Sequence, residues 1–189
     1  MKTTTYFGYG SNLWHKQMDT RCPTSTFKGI ARLNGYKWQI NQRGYANIVE
    51  LPKNEEPQQR IPSIAEPHHH DHSREVWGAV YELRQADEAK LDVNEGVPVA
   101  YTKEYLCCDF WKKGEESSGG RLGVGIEEEM AEERNMLVYI NRRQMEDSRP
   151  KEEYVYRMNE GIRDALGDGV PEGYVKYVMR RFIPEERKE

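Results

Sequence analysis

Alternating apolar and polar positions predict most of the strands in this chain. The apolar runs are short and are bounded by glycine, proline, asparagine or aspartate, which is the pattern of strands that end in turns. The predicted strands cover residues 3–8, 27–40, 46–51, 75–83, 101–111 and 136–141. The stretch 27–40 has Gly35 near its middle, and its pattern fits either two short strands or one bent strand.

Apolar residues at helical spacing predict the structure of the C-terminal part. They recur every three or four positions across residues 152–166, and a second helix is predicted after Pro171. A shorter helix is predicted at residues 85–91, between two strands. We therefore predict an α+β fold, in which a mixed, curved or barrel-like β-sheet carries a short inserted helix and two C-terminal helices packed outside.

A polar stretch at residues 52–73 interrupts this pattern. It is rich in proline, glutamine, glutamate and histidine, and it predicts a long, flexible, exposed loop. The run His68-His69-His70-Asp71-His72 invites a metal, but histidines in a flexible segment offer no fixed geometry, so we predict adventitious chelation and no functional metal site. The polar tail at residues 184–189 is expected to fray, and residues 1–189 are expected to form one domain.

The charge balance narrows the classes of partner. The 189 residues carry a formal net charge of −4 with no basic block, which argues against nucleic acid as a partner. The chain has no apolar run of the roughly 18 residues that a membrane span needs, and its first residues lack a signal-peptide core. We expect a cytoplasmic protein with no membrane partner. The three cysteines, Cys22, Cys107 and Cys108, have no metal-like spacing and are interpreted as thiols in a reducing compartment.

A glycine-containing turn follows the first predicted strand. Gly8 and Gly10 allow a ligand to approach the main chain closely. Ser11 and Asn12 are favourable helix N-cap residues, so we expect unpaired N–H groups there, which would suit a carboxylate or a phosphate. The alternative is a tight strand-to-helix turn that binds nothing.

Glu95 is the candidate for acid–base chemistry. It lies between the short helix and a strand, beside Gly96, where a turn can hold its side chain over a pocket. A carboxylate in an apolar pocket has a raised pKa, which suits a general base that later returns the proton. The alternative is a glutamate on a solvated face. No nucleophile elbow, zinc-protease pair or Walker loop is present in the sequence.

The opening turn and the Glu95 turn together resemble the γ-glutamylcyclotransferase family. The first is similar to the family's Y-x-x-Y-G-S-N-L signature, and the second to its L-D-x-x-E-G-V turn. The segments that carry the resemblance are Tyr6-Phe7-Gly8-Tyr9-Gly10-Ser11-Asn12-Leu13, Val76-Trp77-Gly78-Ala79-Val80-Tyr81, Leu91-Asp92, Glu95-Gly96-Val97, Tyr101, Pro150 with Tyr154, Gly161, and Gly169-Val170-Pro171 with Tyr174. The chain departs from the family pattern near residues 52–73 and 114–134, which leaves the leaving group open.

The resemblance implies release of 5-oxoproline from a small γ-glutamyl substrate, without a metal or organic cofactor. It assigns Glu95 as the general base and acid. The substrate-binding residues it implies are Tyr6, Phe7, Gly8, Tyr9, Gly10, Ser11, Asn12, Tyr101 and Tyr154. The backbone from Tyr6 to Ser11 would hold the α-carboxylate and amine end of the γ-glutamyl group. The alternative for Tyr101 and Tyr154 is core packing with their hydroxyls at the surface.

Three questions stay open at the level of sequence. The substrate is a γ-glutamyl amino acid, a peptide such as glutathione, or a conjugate derived from it, and the identity of the leaving group is therefore open. The alternative to an enzyme is a non-catalytic module with the same fold that binds a small carboxylate or a protein. A third hypothesis, a phosphate-binding protein, is supported only by the glycine turn. A homodimer is also open, with Trp14, Trp38 and Trp111 as candidate interface residues.

Overall fold

The computed structural model describes residues 2–53, 70–114 and 131–186. Its strands are β1 (Thr3–Gly8), β2 (Thr26–Asn34), β3 (Tyr36–Ile40), β4 (Ala46–Glu50), β5 (Glu75–Arg84), β6 (Thr102–Lys112) and β7 (Glu132–Ile140). Its α-helices are α1 (His15–Arg21), α2 (Gln85–Asn94), α3 (Glu152–Asp168) and α4 (Glu172–Tyr177). Single 3₁₀ turns lie at Ser11–Leu13, His72–Arg74 and Met179–Arg181.

Five of these strands close into a barrel in the order β1-β5-β2-β6-β7. Four of the contacts are antiparallel, and β7 closes the barrel by pairing with β1 in parallel at Tyr6 and Leu137. Gly29 permits the close approach of β2 and β6, because a Cβ there would lie 2.1 Å from the backbone oxygen of Trp111. Strands β3 and β4 form a separate antiparallel hairpin. The predicted α+β fold with a barrel-like mixed sheet is confirmed.

The element boundaries differ from the sequence prediction in ways that bear on the site. The stretch 27–40 forms two strands, since Gly35 has a positive φ of 80° that breaks the run. Helix α2 extends to Asn94, so that Glu95 is its C-terminal cap residue. Strand β7 begins at Glu132, where polar residues pair with β6 through the backbone although no apolar pattern marks them.

Helix α3 packs against the 3₁₀ turn Ser11–Leu13. A Cβ at Gly161 would lie 3.0 Å from the Cβ of Leu13 and 3.2 Å from the backbone nitrogen of Trp14, so glycine lets the helix approach this closely. His15 binds the same helix, with its backbone N–H donating to Asp164 at 2.8 Å and its ring 2.7 Å from the Asp168 carboxylate. The N-terminal turn is therefore fixed by the C-terminal helix.

Some sequence predictions fall outside the described residues or need correction. Most of the predicted loop 52–73, namely residues 54–69, and the end of the tail, residues 187–189, lie outside them. Trp38 is buried, at 3% exposure, because its indole donates to the backbone oxygen of Tyr9 at 2.9 Å, so its prediction as a surface residue was wrong. Among the described residues, no helix has the length and apolar character to cross a membrane.

Candidate active site

A cavity of about 260 Å³ lies where the opening turn, the end of α2, the β3–β4 hairpin and α3 meet. Glu95 lines this cavity. Seven of the nine predicted substrate-binding residues line it as well: Tyr6, Tyr9, Gly10, Ser11, Asn12, Tyr101 and Tyr154. Residues far apart in sequence are thus brought to one small volume, which suits a small ligand.

Phe7 and Gly8 do not line the cavity. Successive side chains of a strand point to opposite faces, so Phe7 faces away from its neighbour Tyr6. Phe7 is fully buried, and its ring lies 6.3 Å from that of Tyr9. A Cβ at Gly8 would come within 3.3 Å of Asn12 and of the Tyr6 hydroxyl, so this glycine leaves room for two side chains of the site. Phe7 and Gly8 therefore lie outside the lining of this cavity, and their predicted contact with substrate stays a prediction.

The turn also differs from the predicted helix N-cap. Ser11 and Asn12 lie inside a 3₁₀ turn, and the residue that caps α1 is Trp14. The Ser11 backbone N–H donates to the Tyr154 hydroxyl at 3.1 Å, and the Trp14 N–H donates to the Ser11 oxygen at 3.1 Å. The expectation of an unpaired N–H group at Ser11 was therefore wrong, and an anion at this position would meet a tyrosine hydroxyl.

Asn12 is held in one orientation by its neighbours. Its Oδ1 accepts hydrogen bonds from Arg21 Nη1 at 3.0 Å and from Gln17 Nε2 at 2.8 Å. Because an arginine has donors only, the oxygen of the Asn12 amide must face it. The amide nitrogen then donates to the Tyr6 hydroxyl at 2.9 Å and to Glu95 Oε1 at 3.3 Å. Asn12 thus links the opening turn to the Glu95 carboxylate.

Burial raises the pKa of Glu95 above its ordinary value. The positive charges of Arg21, Arg43 and Arg157 and the hydrogen bond from Asn12 act in the opposite direction without cancelling this effect. The residue as a whole is half-buried, since it borders an open cavity, but its carboxylate is surrounded by protein groups. A carboxylate with a raised pKa exchanges protons more readily near neutral pH.

The backbone that carries Glu95 is fixed from two sides. Asp92, one turn earlier, accepts a hydrogen bond from the Tyr139 hydroxyl at 2.7 Å and binds Lys103 at 3.1 Å. Gly96 follows with a positive φ of 65°, a conformation that favours glycine. The turn that carries Glu95 is therefore attached to both β6 and β7.

Tyr154 projects from the first turn of α3 into the cavity. Its hydroxyl accepts hydrogen bonds from the backbone N–H groups of Ser11 at 3.1 Å and Ala46 at 3.4 Å. Burial raises the pKa of Tyr154 to about 12, so the hydroxyl stays neutral and keeps a proton to donate. A Cβ at Gly10 would lie 2.8 Å from this oxygen, so glycine is required beside it. The alternative of a hydroxyl at the surface is wrong for Tyr154.

Tyr101 contributes mainly to the cavity wall. It is 7% exposed, and its hydroxyl donates to the backbone oxygen of Ala46 at 2.8 Å, so this hydroxyl is also away from the surface. The guanidinium of Arg43 lies 5.5 Å from the centre of the Tyr101 ring and 5.7 Å from that of Tyr45. The two rings thereby hold a positive charge at the cavity.

Three arginines of the cavity were not predicted from the sequence. Arg157 forms an ion pair with Glu153 at 2.9 Å, and Arg21 binds the neutral amide of Asn12. In the part of the chain that the structure describes, Nη1 of Arg43 is buried and has no hydrogen-bond partner. Residues 21, 43 and 157 lie on separate elements and share no local motif, so no sequence signal could have joined them.

The sequence of this chain is similar to those of two curated proteins that carry the same name. No family model matches the chain. It is 32% identical to a γ-glutamylcyclotransferase of Bos taurus over 102 residues, which cover 49% of this chain and 44% of that protein. It is 28% identical to a γ-glutamylcyclotransferase of Mus musculus over 106 residues, which cover 51% of this chain and 46% of that protein. The chain thus spans about half the length of these relatives.

Solved structures share the fold over the whole chain. One is called γ-glutamyl cyclotransferase and has a TM-score of 0.67 at 20% identity, covering 100% of this chain and 92% of its own. A second, an uncharacterised protein from Homo sapiens, has a TM-score of 0.67 at 20% identity, with 100% and 93% covered. At this identity the likeness establishes a common fold. The chain is thus similar in sequence to γ-glutamylcyclotransferases over about half of its length, and it shares its fold with these solved structures.

Proposed function

We propose that this protein is a γ-glutamyl cyclotransferase that releases 5-oxoproline from a γ-glutamyl amino acid or peptide. The observation that carries the proposal is the Glu95 carboxylate, which borders the cavity with a raised pKa and is joined to the opening turn by Asn12. The names of the two sequence relatives support the same reaction class.

The proposed reaction is intramolecular. The α-amine of the γ-glutamyl group attacks its own γ-carbonyl, a five-membered ring closes, and the amide bond to the leaving group breaks. Effective molarities of about 10⁵ M or more are reached when such groups are well oriented, so holding the folded conformer supplies much of the rate. The cavity of about 260 Å³ favours that compact conformer.

Glu95 carries the proton in this mechanism. The α-amine is protonated at neutral pH and attacks only after losing a proton, which the ionised Glu95 accepts. The same proton then passes to the nitrogen of the leaving group as the amide bond breaks, and the attacking nitrogen gives its second proton to the freed Glu95 carboxylate as the lactam forms. A pKa raised by burial serves these steps, since the group must both accept and return a proton at the same pH.

Tyr154 is the proposed donor to the oxyanion. Its hydroxyl is neutral, and two backbone N–H groups already donate to its oxygen, which orients its own proton away from them. A donor that is already in place stabilises developing charge without reorganisation, and removal of one such donor typically costs about 10²–10³ in rate.

Arg43 favours a leaving group that carries a carboxylate. The described cavity lining has one carboxylate, Glu95, and the unpartnered Nη1 of Arg43 is a buried donor that lacks an acceptor. A buried donor without a partner costs about 1–3 kcal/mol, which an anionic group would recover. The opening turn serves the γ-glutamyl end, so we assign Arg43 to the carboxylate of the leaving amino acid.

The test is 5-oxoproline release by the wild type and by Glu95→Gln. We expect release from γ-glutamyl-alanine by the wild type and a loss of about 10²–10⁴ in kcat in the variant, which keeps the shape but not the base. Near wild-type turnover by Glu95→Gln would contradict the proposed role. Binding of γ-glutamyl compounds to the wild type without any turnover would instead favour the non-catalytic module.

A further inference from the structure

Three metal-ligating side chains meet at the start of β5, outside the cavity described above. The ligand atoms of His70, His72 and Glu75 all lie within 4.8 Å of one another. Each histidine already faces the carboxylate, His72 Nδ1 at 2.5 Å from Oε1 and His70 Nε2 at 3.1 Å from Oε2. The expectation of no fixed geometry in this histidine stretch was therefore wrong for these two residues.

His72 is fixed by the body of the protein. Its side chain is 9% exposed, and its ring lies 6.1 Å from that of Tyr174 on α4. A Cβ at Gly173 would lie 2.9 Å from His72 Nε2, so the far side of the ring is closely packed. The packing leaves Nδ1 as the ring nitrogen that faces Glu75.

The Glu75 carboxylate is also oriented in advance. Its side chain is 7% exposed, and the indole of Trp77 donates to Oε1 at 2.9 Å. The guanidinium of Arg32 lies 3.9 Å from Oε2 and at the same time binds Asp109 at 2.9 Å. Second-sphere hydrogen bonds of the Trp77 kind are what orient carboxylate ligands in metal sites.

His70 leaves the site open to solvent, since its side chain is 59% exposed. An ion can therefore enter from that side and keep a water molecule. In a tetrahedral zinc site the ligand atoms lie about 2.0–2.2 Å from the metal, and hence about 3.3 Å from one another. The three side chains reach that spacing with shifts of about 1 Å, because all their ligand atoms are already within 4.8 Å.

We propose that His70, His72 and Glu75 form a binding site for Zn²⁺, with three protein ligands and one water. Two imidazoles and one carboxylate select zinc over Mg²⁺ or Ca²⁺, which prefer oxygen ligands. None of the three residues lines the cavity, so the ion takes no part in the proposed reaction. It attaches the exposed His70 to a buried carboxylate, and so fixes the chain where it enters β5.

The test uses the full chain after treatment with a chelator, titrated with zinc chloride by calorimetry and followed by thermal unfolding. We expect one saturable ion per chain and a rise in Tm, with an unchanged rate of 5-oxoproline release. Cobalt chloride supplies a spectroscopic probe, since tetrahedral Co²⁺ absorbs visible light far more strongly than octahedral Co²⁺.

Variants separate this site from adventitious binding by the histidine run. His70→Gln changes an exposed side chain and preserves the fold, whereas His72→Gln removes the buried ligand. Each should weaken zinc binding by about tenfold or more. His69→Gln, which removes a neighbouring histidine of the sequence, should leave the affinity unchanged. Equal weakening by His69→Gln and His70→Gln, or no saturable binding by the wild type, would overturn the proposal.

Discussion

Substitution of Arg43 by glutamine should separate two substrates that differ only in a carboxylate. The substrates are γ-glutamyl-alanine and γ-glutamylethylamide, whose leaving group is alanine without its carboxyl group. If Nη1 of Arg43, buried and without a partner among the described residues, binds that carboxylate, the wild type should prefer γ-glutamyl-alanine. Arg43→Gln should remove most of this preference. Turnover of the ethylamide should change less, and only because the variant loses a positive charge that lowers the pKa of Glu95.

The size of the effect follows from the kind of contact. A hydrogen bond to a charged group contributes about 1.5–3 kcal/mol, and each 1.36 kcal/mol or so corresponds to a factor of ten in rate or affinity. Arg43 is half-buried, so the lower end applies and we expect about a tenfold change in kcat/KM. The contact exists before and during reaction, so the change should appear in KM more than in kcat.

The assay is initial-rate release of 5-oxoproline from both substrates by both proteins. The matched control is Arg163→Gln, which removes the same charge from α3 at a side chain that is 66% exposed. An equal loss on both substrates would refute the assignment, because Arg43 would then act on the γ-glutamyl end or on the fold. Silence of the wild type on both substrates would exclude alanine and ethylamine as leaving groups, and silence on glutathione as well would refute the proposed reaction.

Three further predictions concern glycines and the Glu95 carboxylate. Gly10→Ala places a Cβ 2.8 Å from the hydroxyl oxygen of Tyr154, so kcat/KM for γ-glutamyl-alanine should fall by about tenfold or more. The circular dichroism spectrum should stay that of the wild type. Full activity of the variant would count against Tyr154 as a donor. Gly161→Ala should lower Tm, since overpacking against Leu13 costs about 1–3 kcal/mol. Gly167→Ala should raise Tm through helix propensity, since a Cβ there would meet no described atom within 4 Å outside its own helix; a rise in Tm for both variants would show that α3 moves freely over the turn. Burial raises the pKa of Glu95, so the folded state disfavours the ionised carboxylate. The contribution of Glu95 to the free energy of unfolding is therefore greatest at low pH. It decreases as the pH rises through the ordinary pKa of a glutamate and then through the raised pKa. Glu95→Gln should therefore be more stable than the wild type at neutral pH, and wild-type kcat/KM should rise with pH through the raised pKa; an equal Tm together with a flat pH profile would refute this.

The sequence predicted the parts of the site that lie in short local patterns. The opening turn and the Glu95 turn were identified because each is a run of a few residues that resembles a family pattern, although the chemistry of each alone left alternatives open. Tyr154 was predicted to bind substrate because the C-terminal pattern that contains it is similar to the family pattern. The barrel was predicted only as a class of sheet, since the alternation shows which residues are strands and not which strands pair.

The features of the structure that could not be predicted from the sequence depend on tertiary packing. Arg43 points into the cavity because the β3–β4 hairpin lies beside Tyr101, a contact between residues 58 positions apart in sequence. The hydrogen bonding of Ser11 was mispredicted, because an N-cap pattern in the sequence does not show that the backbone N–H of Ser11 donates to the hydroxyl of Tyr154 on α3. His70 and His72 seemed unfixed because the ring packing of His72 on α4 is a long-range contact.

The dependence of the opening turn on α3 has a consequence for the order of folding. Tyr154 and Ser11 are 143 residues apart, and barrel closure joins β1 to β7 across a similar separation. Contacts of such high sequence separation require the entropy of closing a long loop before they form, so they are expected late in folding. Enzymatic turnover would then report the last docking event of refolding, whereas the circular dichroism of the strands would report earlier ones. A lag between the two signals would be the kinetic signature of a site built from both ends of the chain.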